Sequence, residues 1–217
     1  YHLDRKAFVF ASEVRAIQRS SLVQTGLEKS VLDAFLTLGY IPGRRTFFKG
    51  IRKLMPGHAM TVTAEGDVKS RRYWNFSDVQ PANLTFADAM KRLRELLRQA
   101  VQMRLVSDVP LGVFLSGGLD SSAIAALMCQ LSEKKVKTFS IGYDTDDGSN
   151  ELPYARNIAE AFGTDHHEFI LKPYDFLDAI PRMVEMAEEP LVEMPAIALY
   201  QLARAAKPHA TVLLSGE

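Results

Sequence analysis

The stretch Val109–Ser122 constrains the fold more than any other part of the chain, because a short apolar run meets two glycines and then a helical segment. Leu111–Leu115 has the length and composition of a buried strand. The run ends at Ser116-Gly117-Gly118, and Asp120 opens an apolar segment with helical spacing. This order predicts an anion site, because glycines let backbone N–H groups face inward and the first N–H groups of a helix have no intrahelical acceptor.

The polar side chains of this stretch also suit a phosphate ligand. Ser116, Ser121 and Ser122 add hydroxyl donors, and Asp120 adds a carboxylate, which is favourable beside a phosphate when a magnesium ion lies between them. No Gly-Lys-Ser/Thr follows the glycines, so the stretch is not a Walker loop. The alternative is an ordinary strand-to-helix turn that is rich in small residues.

Strand and helix patterns alternate through the second half of the chain. The spacing predicts strands at 111–115, 136–142, 166–171 and 211–214, with helices at about 120–132, 151–162, 174–188 and 195–206. Such alternation is typical of a parallel sheet with helices on both faces, whose ligands bind beyond the carboxyl ends of the strands. We therefore expect one ligand to contact the residues that follow three strands: Ser116–Ser122, Gly142–Asn150 and Ser215–Glu217.

The first part of the chain has a different character. Residues 1–76 mix antiparallel strands, one of them a buried strand at Ala7–Ala11, with a short helix capped by Ser12 and a clear helix at 27–38. Residues 77–84 are polar and aperiodic. We expect an α+β domain at 1–76, a linker at 77–84 and an α/β domain at 85–217.

The α/β domain is expected to begin with a long helix. Thr85–Asp88 resembles a capping box, and the spacing of the residues that follow predicts one buried apolar face and one basic, solvated face. The buried face is expected to contain Met90, Leu93, Leu97, Val101 and Leu105.

Composition excludes several classes of function. Lys and Arg together number 26, as do Asp and Glu, and this zero net charge argues against a general nucleic-acid binder. We expect neither a membrane span nor a signal peptide in these residues. The single cysteine, Cys129, excludes an intrachain disulfide, favours a cytoplasmic setting and is interpreted as a small core residue rather than a reactive thiol. Because the chain begins with Tyr1 and stops at a turn, we expect a piece of a longer protein.

Two sets of residues carry a resemblance to known enzymes. Ser116-Gly117-Gly118-Leu119-Asp120-Ser121-Ser122 resembles the pyrophosphate loop of ATP pyrophosphatases, which adenylate a substrate and release pyrophosphate. Phe10–Ile17, Gly39–Pro42 and Phe48–His58 resemble the end of a glutamine-hydrolysing amidotransferase domain of the N-terminal-nucleophile type. Together they resemble the glutamine-hydrolysing asparagine synthetase family. The resemblance implies the end of a glutaminase domain followed by the truncated start of a synthetase domain with the adenine nucleotide α-hydrolase-like fold.

The resemblance also implies a site and a reaction. The positions that match Leu115, Ile141, Ser215 and Gly216 contact ATP in this family, and the phosphates would lie on Ser116, Gly117, Gly118, Asp120, Ser121 and Ser122. Asp120 would hold Mg²⁺, and Glu217 would lie at the reacting centre. The implied enzyme activates aspartate or a similar acid as acyl-AMP and aminates it with ammonia from glutamine. A homodimer is a further expectation.

The sequence departs from the family pattern at two places. The family nucleophile is an initial cysteine, which Tyr1 is not, so this chain by itself is expected to be inactive. At 191–195 it reads Leu-Val-Glu-Met-Pro, where the family has small polar residues near the co-substrate, so the acid stays open. Two alternatives also stay open: an adenylating cyclase of the β-lactam-synthetase type, and a nucleotide-binding module without turnover.

Three acidic or histidine-containing motifs have less specific interpretations. His166-His167-Glu168 suggests a metal site, but adjacent residues of a strand point to opposite faces, so a structural role is expected. Asp144, Asp146 and Asp147 are expected in a hydrated loop. Glu188-Glu189-Pro190 is expected near the site.

Overall fold

The computed structural model describes residues 1–144, 150–187, 189–190 and 195–216. The chain divides into two compact units, Tyr1–Ala82 with Val184–Val192, and Asn83–Met183 with Glu193–Glu217. Each unit has its own clusters of buried apolar side chains. Among the helices of the described residues, none combines the length and the apolar character that a membrane crossing needs.

The first unit contains two antiparallel hairpins and two α-helices. β1 (His2–Leu3) pairs with β2 (Phe8–Val9), and β3 (His58–Val62) pairs with β4 (Val68–Arg72). The α-helices are α1 (Val14–Arg19) and α2 (Leu32–Leu38). The helix predicted at 27–38 ends where expected, but its predicted start is wrong, because a 3-10 turn at Lys29–Val31 precedes Leu32. The buried clusters consist of Val31, Phe35, Ile41 and Phe47, and of Ile17, Val23 and Ile51. The mixed, antiparallel character predicted for this part of the chain is confirmed.

The start of the first unit differs in detail from the prediction. β1 and β2 are joined by a turn in which Asp4 Oδ1 accepts hydrogen bonds from the N–H groups of Lys6 and Ala7 at 2.7 and 2.8 Å. The buried strand predicted at Ala7–Ala11 is wrong, since β2 ends at Val9 and Phe10 is 73% exposed. The predicted Ser12 cap is also wrong: the residue that precedes α1 is Glu13, whose side chain makes no capping hydrogen bond.

The second unit is an α/β fold, as the sequence predicts. Its strands are β5 (Leu111–Phe114), β6 (Lys137–Tyr143), β7 (Asp165–Leu171) and β8 (Val212–Leu214), and they form a parallel sheet in the order β7-β6-β5-β8. The helices are α3 (Phe86–Arg104), α4 (Leu119–Leu131), α5 (Leu152–Phe162), α6 (Pro173–Met186) and α7 (Pro195–Ala206).

Apolar side chains cover both faces of this sheet. Because alternate residues of a strand point to opposite faces, the sheet contributes side chains to two separate apolar clusters, one on each face. One cluster packs α3, α4 and α5 through Val101, Val113, Leu115, Ala125, Met128 and Ala155. The other packs α7 through Phe139, Leu202, Ala206 and Ala210. The predicted parallel sheet with helices on both faces is therefore confirmed, and its carboxyl ends lie at one edge.

Helix α3 is packed along only part of its length. Its predicted cap is confirmed, because Thr85 Oγ1 accepts a hydrogen bond from Asp88 N at 3.2 Å and donates one to Asp88 Oδ2 at 2.6 Å. The predicted burial of the first half is wrong: Met90 is 40% exposed and Leu93 is 65% exposed. Val101 is 3% exposed and packs in the core, because α4 lies against the second half of the helix.

Candidate functional site

The loop between β5 and α4 leaves several backbone N–H groups available to a ligand. Helix α4 begins at Leu119 after Gly118, which is extended, and no side chain within the described part of the chain caps this end of the helix. The first intrahelical bond runs from Ser122 N to Gly118 O at 3.1 Å. The preceding N–H groups have no acceptor in the helix and lie at the positive end of its dipole. Unpaired N–H groups thus lie where the sequence predicts an anion site, and binding of an anion there stays a prediction.

Two serine side chains fix the shape of this loop. Ser121 Oγ accepts a hydrogen bond from Ser116 N at 3.2 Å and lies 2.9 Å from Ser116 Oγ. Ser116 Oγ also accepts a hydrogen bond from Gly118 N at 3.3 Å. These internal bonds hold the loop in a closed curl, which lowers the conformational entropy that binding has to remove.

Gly117 is required by both conformation and space. Its φ of +81° lies in the region that residues with a side chain rarely adopt. A Cβ atom here would lie 2.5 Å from Tyr154 Cβ and 2.6 Å from Ala155 N. The loop therefore packs directly on the start of α5.

The ends of three strands meet at this loop. Gly216, which follows β8, packs so closely on the start of α4 that a Cβ atom would lie 2.7 Å from Ser121 N and 3.1 Å from Asp120 Cβ. From β6, Ser140 Oγ donates a hydrogen bond to Leu115 O. Residues that are distant in sequence thus reach one edge of the sheet, as parallel topology requires.

These residues line a cleft of about 250 Å³. The predicted site residues that it brings together are Leu115, Ser116, Gly118, Asp120, Ser121, Ile141, Ser215 and Gly216. Gly117 of the loop and Ser122 in the first turn of α4 are not among the residues that line the cleft. Ser122 Oγ is buried and has no hydrogen-bond partner among the described residues. Glu217 lies outside the described residues.

The cleft also contains residues that the sequence analysis did not select. Glu151, directly before α5, adds a second carboxylate, and Leu199 and Leu202 of α7 add an apolar wall. The position of Glu151 after the second predicted strand was the available signal, since residues in this position reach the cleft. No signal in the sequence shows that α7 turns these two leucines toward β5 and β6, because its apolar residues fit any buried helix.

The carboxylates suit a magnesium ion that is carried in with a nucleotide. The side chain of Asp120 is exposed at the cleft, and Glu151 lines the same cleft. Within the described residues no three His, Cys, Asp or Glu side chains form a ready-made metal site. Magnesium commonly binds through one or two carboxylates together with substrate phosphates, so this donor set fits it.

The neighbouring histidines have separate structural partners. His166 Nδ1 lies 2.8 Å from Thr138 Oγ1, and its Nε2 lies 3.3 Å from Glu168 Oε1 without hydrogen-bond geometry. The ring of His167 instead stacks on Phe139, with centroids 5.2 Å apart. The predicted opposite orientation of the two rings is confirmed, because His166 contacts Thr138 whereas His167 contacts the next residue of β6, Phe139, which points to the other face.

A half-buried ion pair borders His166. Arg156 Nε and Nη2 donate to the two oxygens of Glu168 at 3.0 and 2.7 Å. This pairing holds the pKa of Glu168 below its usual value, whereas burial lowers the pKa of His166. The network ties α5 to β7.

The remaining predictions about single residues have mixed outcomes. Cys129 of α4 is partly buried against the apolar cluster that contains Val113 and Met128, and burial raises the pKa of its thiol, which agrees with a core residue rather than a reactive one. Asp144 is exposed, as expected of a hydrated loop, whereas Asp146 and Asp147 lie outside the described residues. Glu188 also lies outside them, as do residues 191–194.

Two family profiles match this chain. The asparagine synthase profile matches residues 92–217, and the glutamine amidotransferase domain profile matches residues 1–74. A solved structure, an NH3-dependent NAD synthetase from Campylobacter jejuni in complex with the nitrate ion, covers 58% of this chain and 56% of its own at a TM-score of 0.41 and 15% identity.

Curated relatives are similar over nearly all of the chain. Asparagine synthetase (glutamine-hydrolyzing) 1 of Bacillus subtilis is 31% identical over 96% of this chain and 32% of its own length. Asparagine synthetase (glutamine-hydrolyzing) 3 of the same strain is 33% identical over 100% of this chain and 37% of its own length. A protein named putative asparagine synthetase (glutamine-hydrolyzing) 2 of Methanocaldococcus jannaschii is 30% identical over 100% of this chain and 42% of its own length. The chain therefore spans between 32% and 42% of the length of these relatives.

Proposed function

The chain belongs to the asparagine synthase family, and on that basis we propose that the complete polypeptide, meaning the natural protein that contains these residues, is an ATP-dependent amide-forming ligase. It activates the carboxylate of aspartate or a similar acid as acyl-AMP and aminates it with ammonia from glutamine. The observation that carries this proposal is the cleft where the ends of three strands and an uncapped helix N-terminus meet.

The cleft offers different surroundings to the two ends of ATP. The N–H groups at the start of α4 and the hydroxyl of Ser116 suit the phosphates. Leu115 and Ile141, together with the α7 leucines, suit the adenine, whose flat faces favour apolar walls. This assignment places the phosphates at the loop and the base toward α7.

The proposed reaction has two steps that together conserve atoms and charge. An oxygen of the substrate carboxylate attacks the α-phosphorus of ATP, and pyrophosphate leaves with the electrons of the broken P–O bond. Ammonia then attacks the acyl carbon, AMP leaves, and a proton lost from nitrogen yields the neutral amide. Bound magnesium, held by Asp120, would supply positive charge beside the departing pyrophosphate.

The chain's own groups have three tasks in this scheme. The loop N–H groups are already oriented before the reaction, so they stabilise negative charge on the leaving group at little reorganisation cost. The apolar walls exclude water that would hydrolyse the acyl-AMP. In the first unit, the match to the glutamine amidotransferase domain supports glutamine as the source of ammonia.

Replacing Asp120 tests this proposal. Asp120→Asn in the complete polypeptide keeps the size of the side chain and removes its charge, so we expect pyrophosphate exchange into ATP to fall by at least about 100-fold, with glutamine hydrolysis retained. Asp144→Asn is the matched control, because Asp144 is exposed beyond β6 and is not among the residues that line the cleft.

Two results would contradict the proposal at different points. Unchanged exchange in Asp120→Asn would remove Asp120 from its role. If the wild-type polypeptide shows no exchange with any amino acid, adenylation itself is wrong and the module without turnover is favoured.

A further inference from the structure

The ion pair between Arg156 and Glu168 joins α5 to β7 within the second unit. It uses two nitrogens of the guanidinium and both oxygens of the carboxylate, at 3.0 and 2.7 Å. Paired bonds of this kind fix the direction of the contact as well as its length, which a single ammonium group does not. The side chain of Glu168 is 24% exposed, so solvent screens the pair only in part.

A groove of about 440 Å³ lies beside this ion pair, between α5 and β7. Helix α5 supplies Arg156 and Glu160 to its walls, and β7 supplies His166 and Glu168. Most of the side chains that line the groove are polar, so apolar packing contributes little to holding the helix against the strand here. The ion pair is the directional contact that crosses the groove.

The far end of α5 is anchored to the sheet by a different contact. Thr164, which is 8% exposed, donates its backbone N–H to Ala159 O at 3.0 Å. Its Oγ1 lies 2.8 Å from Oγ1 of Thr138 in β6, which is fully buried. This anchor does not involve Arg156, so loss of the ion pair should act on the first half of α5 and leave its end in place.

The first half of α5 supports the loop at which the phosphates are proposed to bind. Gly117 packs so closely on it that a Cβ atom would lie 2.5 Å from Tyr154 Cβ and 2.6 Å from Ala155 N. Ala155 is fully buried and lines the cleft. Arg156 is the next residue of the same helix, so a restraint on its side chain also restrains the backbone that Gly117 contacts.

We infer that Arg156 and Glu168 are positioning residues that set where the first half of α5 lies and thereby hold the Gly117 loop in the shape that receives the phosphates of ATP. This inference rests on the proposed function for its effect on ATP, whereas the restraint on the helix and the loop does not. Neither side chain is among the described residues that line the cleft, so each acts on how firmly ATP binds and not on the chemical step.

Arg156→Met in the complete polypeptide tests the inference, because methionine keeps part of the aliphatic side chain and removes the charge. We expect amide hydrogen exchange in peptides covering 115–122 and 152–158 to become about twofold to fivefold faster, the range that a partly exposed ion pair supports. A loop that is less often in its closed shape binds ATP more weakly, so the KM for ATP in pyrophosphate exchange should rise by about the same factor, with kcat unchanged.

Three further variants make the test specific. Arg156→Lys keeps the charge but offers one donor group instead of the fork, so its effects should be smaller than those of Arg156→Met. Lys135→Met removes a cation that lines the same groove and should change neither readout. In a Glu168→Gln background, Arg156→Met should have less than half of its effect in the wild type, because the charge pair is already broken.

The outcomes separate this inference from the proposed function. Unchanged hydrogen exchange in the loop peptide, or an unchanged KM for ATP in an active enzyme, overturns the inference. Equal effects of Arg156→Lys and Arg156→Met also overturn it, because they would assign the effect to side-chain packing. A fall in kcat at constant KM does so as well, since it would place Arg156 in the chemistry. If the wild-type polypeptide lacks pyrophosphate exchange, the proposed function fails, and hydrogen exchange in the two peptides still decides the restraint.

Discussion

Gly117 has no room for a side chain, and burial lowers the pKa of His166. The space at Gly117 is limited by Tyr154 and Ala155, which are distant in sequence. In both cases the surrounding atoms, and not the residue type alone, determine the property: the space for a side chain at Gly117 and the pKa at His166. Each property leads to a measurable effect on stability.

Gly117→Ala should lower the free energy of unfolding by about 3 kcal/mol. Roughly 1 kcal/mol comes from the positive φ, and the remainder from a Cβ placed 2.6 Å from the backbone nitrogen of Ala155. Gly163→Ala is the matched control, because its φ is +62° and no atom of the residues that the structure describes lies within 4 Å of its Cβ position. It should cost only about 1 kcal/mol in urea unfolding. Equal losses in the two variants would show that the contact with α5 is absent.

Acidification through the usual pKa of histidine should destabilise the chain through His166. Burial lowers the folded-state pKa of His166, so the unfolded chain takes up the proton first. The contribution of His166 to stability is complete above a pH of about 6.5 and is lost as the pH falls toward the folded-state pKa. Urea unfolding at several pH values between 7.5 and 5.5 measures this loss.

His166→Gln is the control for that titration, since glutamine does not titrate and can still hydrogen-bond with Thr138. The variant should lose part of the slope between pH 7.5 and 5.5. Glu168 does not interfere, because its depressed pKa confines its own contribution to a lower pH range. An unchanged slope in the variant would assign the pH dependence to another group.

At the scale of elements, α3 illustrates the difference between an amphipathic pattern and an actual partner. Its apolar positions are periodic over the whole helix, but the described residues supply a packing surface, mainly α4, only for the second half. Periodicity reports which face of a helix is apolar. It does not report how far along the helix a neighbour extends.

This unequal packing predicts unequal costs of truncation within one helix. Val101→Ala removes two buried methyl groups and should lower the free energy of unfolding by about 2 kcal/mol. Leu93→Ala removes a larger group that is 65% exposed, and should change it by less than about 0.5 kcal/mol in the 217-residue chain. Urea unfolding of both variants checks the difference. A large loss in Leu93→Ala would mean that this half of α3 is packed.

At the scale of the whole molecule, two units carry separate parts of the family resemblance. The amidotransferase match ends at residue 74 and the synthase match begins at residue 92, while the units change at residues 82 and 83. The expected linker at 77–84 is exposed and without regular structure over Val79–Leu84. The segment Val184–Val192 is the exception to this simple order, since it joins the first unit from within the second half of the sequence.

The sequence determined the α/β class, the order of the elements and the loop that starts the site. Local patterns carry this information: the alternation of strand and helix segments indicates the parallel sheet, and Ser116-Gly117-Gly118 indicates the turn before α4. Predictions failed where burial depended on a neighbour, as for Ala7–Ala11 and for Leu93, because propensity and periodicity describe a segment without its surroundings.

Only the tertiary structure decided which residues share the cleft. Ser140 reaches Leu115, Gly216 reaches the start of α4, and Leu199 joins them, each across a separation that local pattern cannot bridge. The physical reason is that parallel strands bring their carboxyl ends together whatever the chain does between them. The local sequence determines which segments form helices and strands, and tertiary packing determines which of these segments lie next to each other.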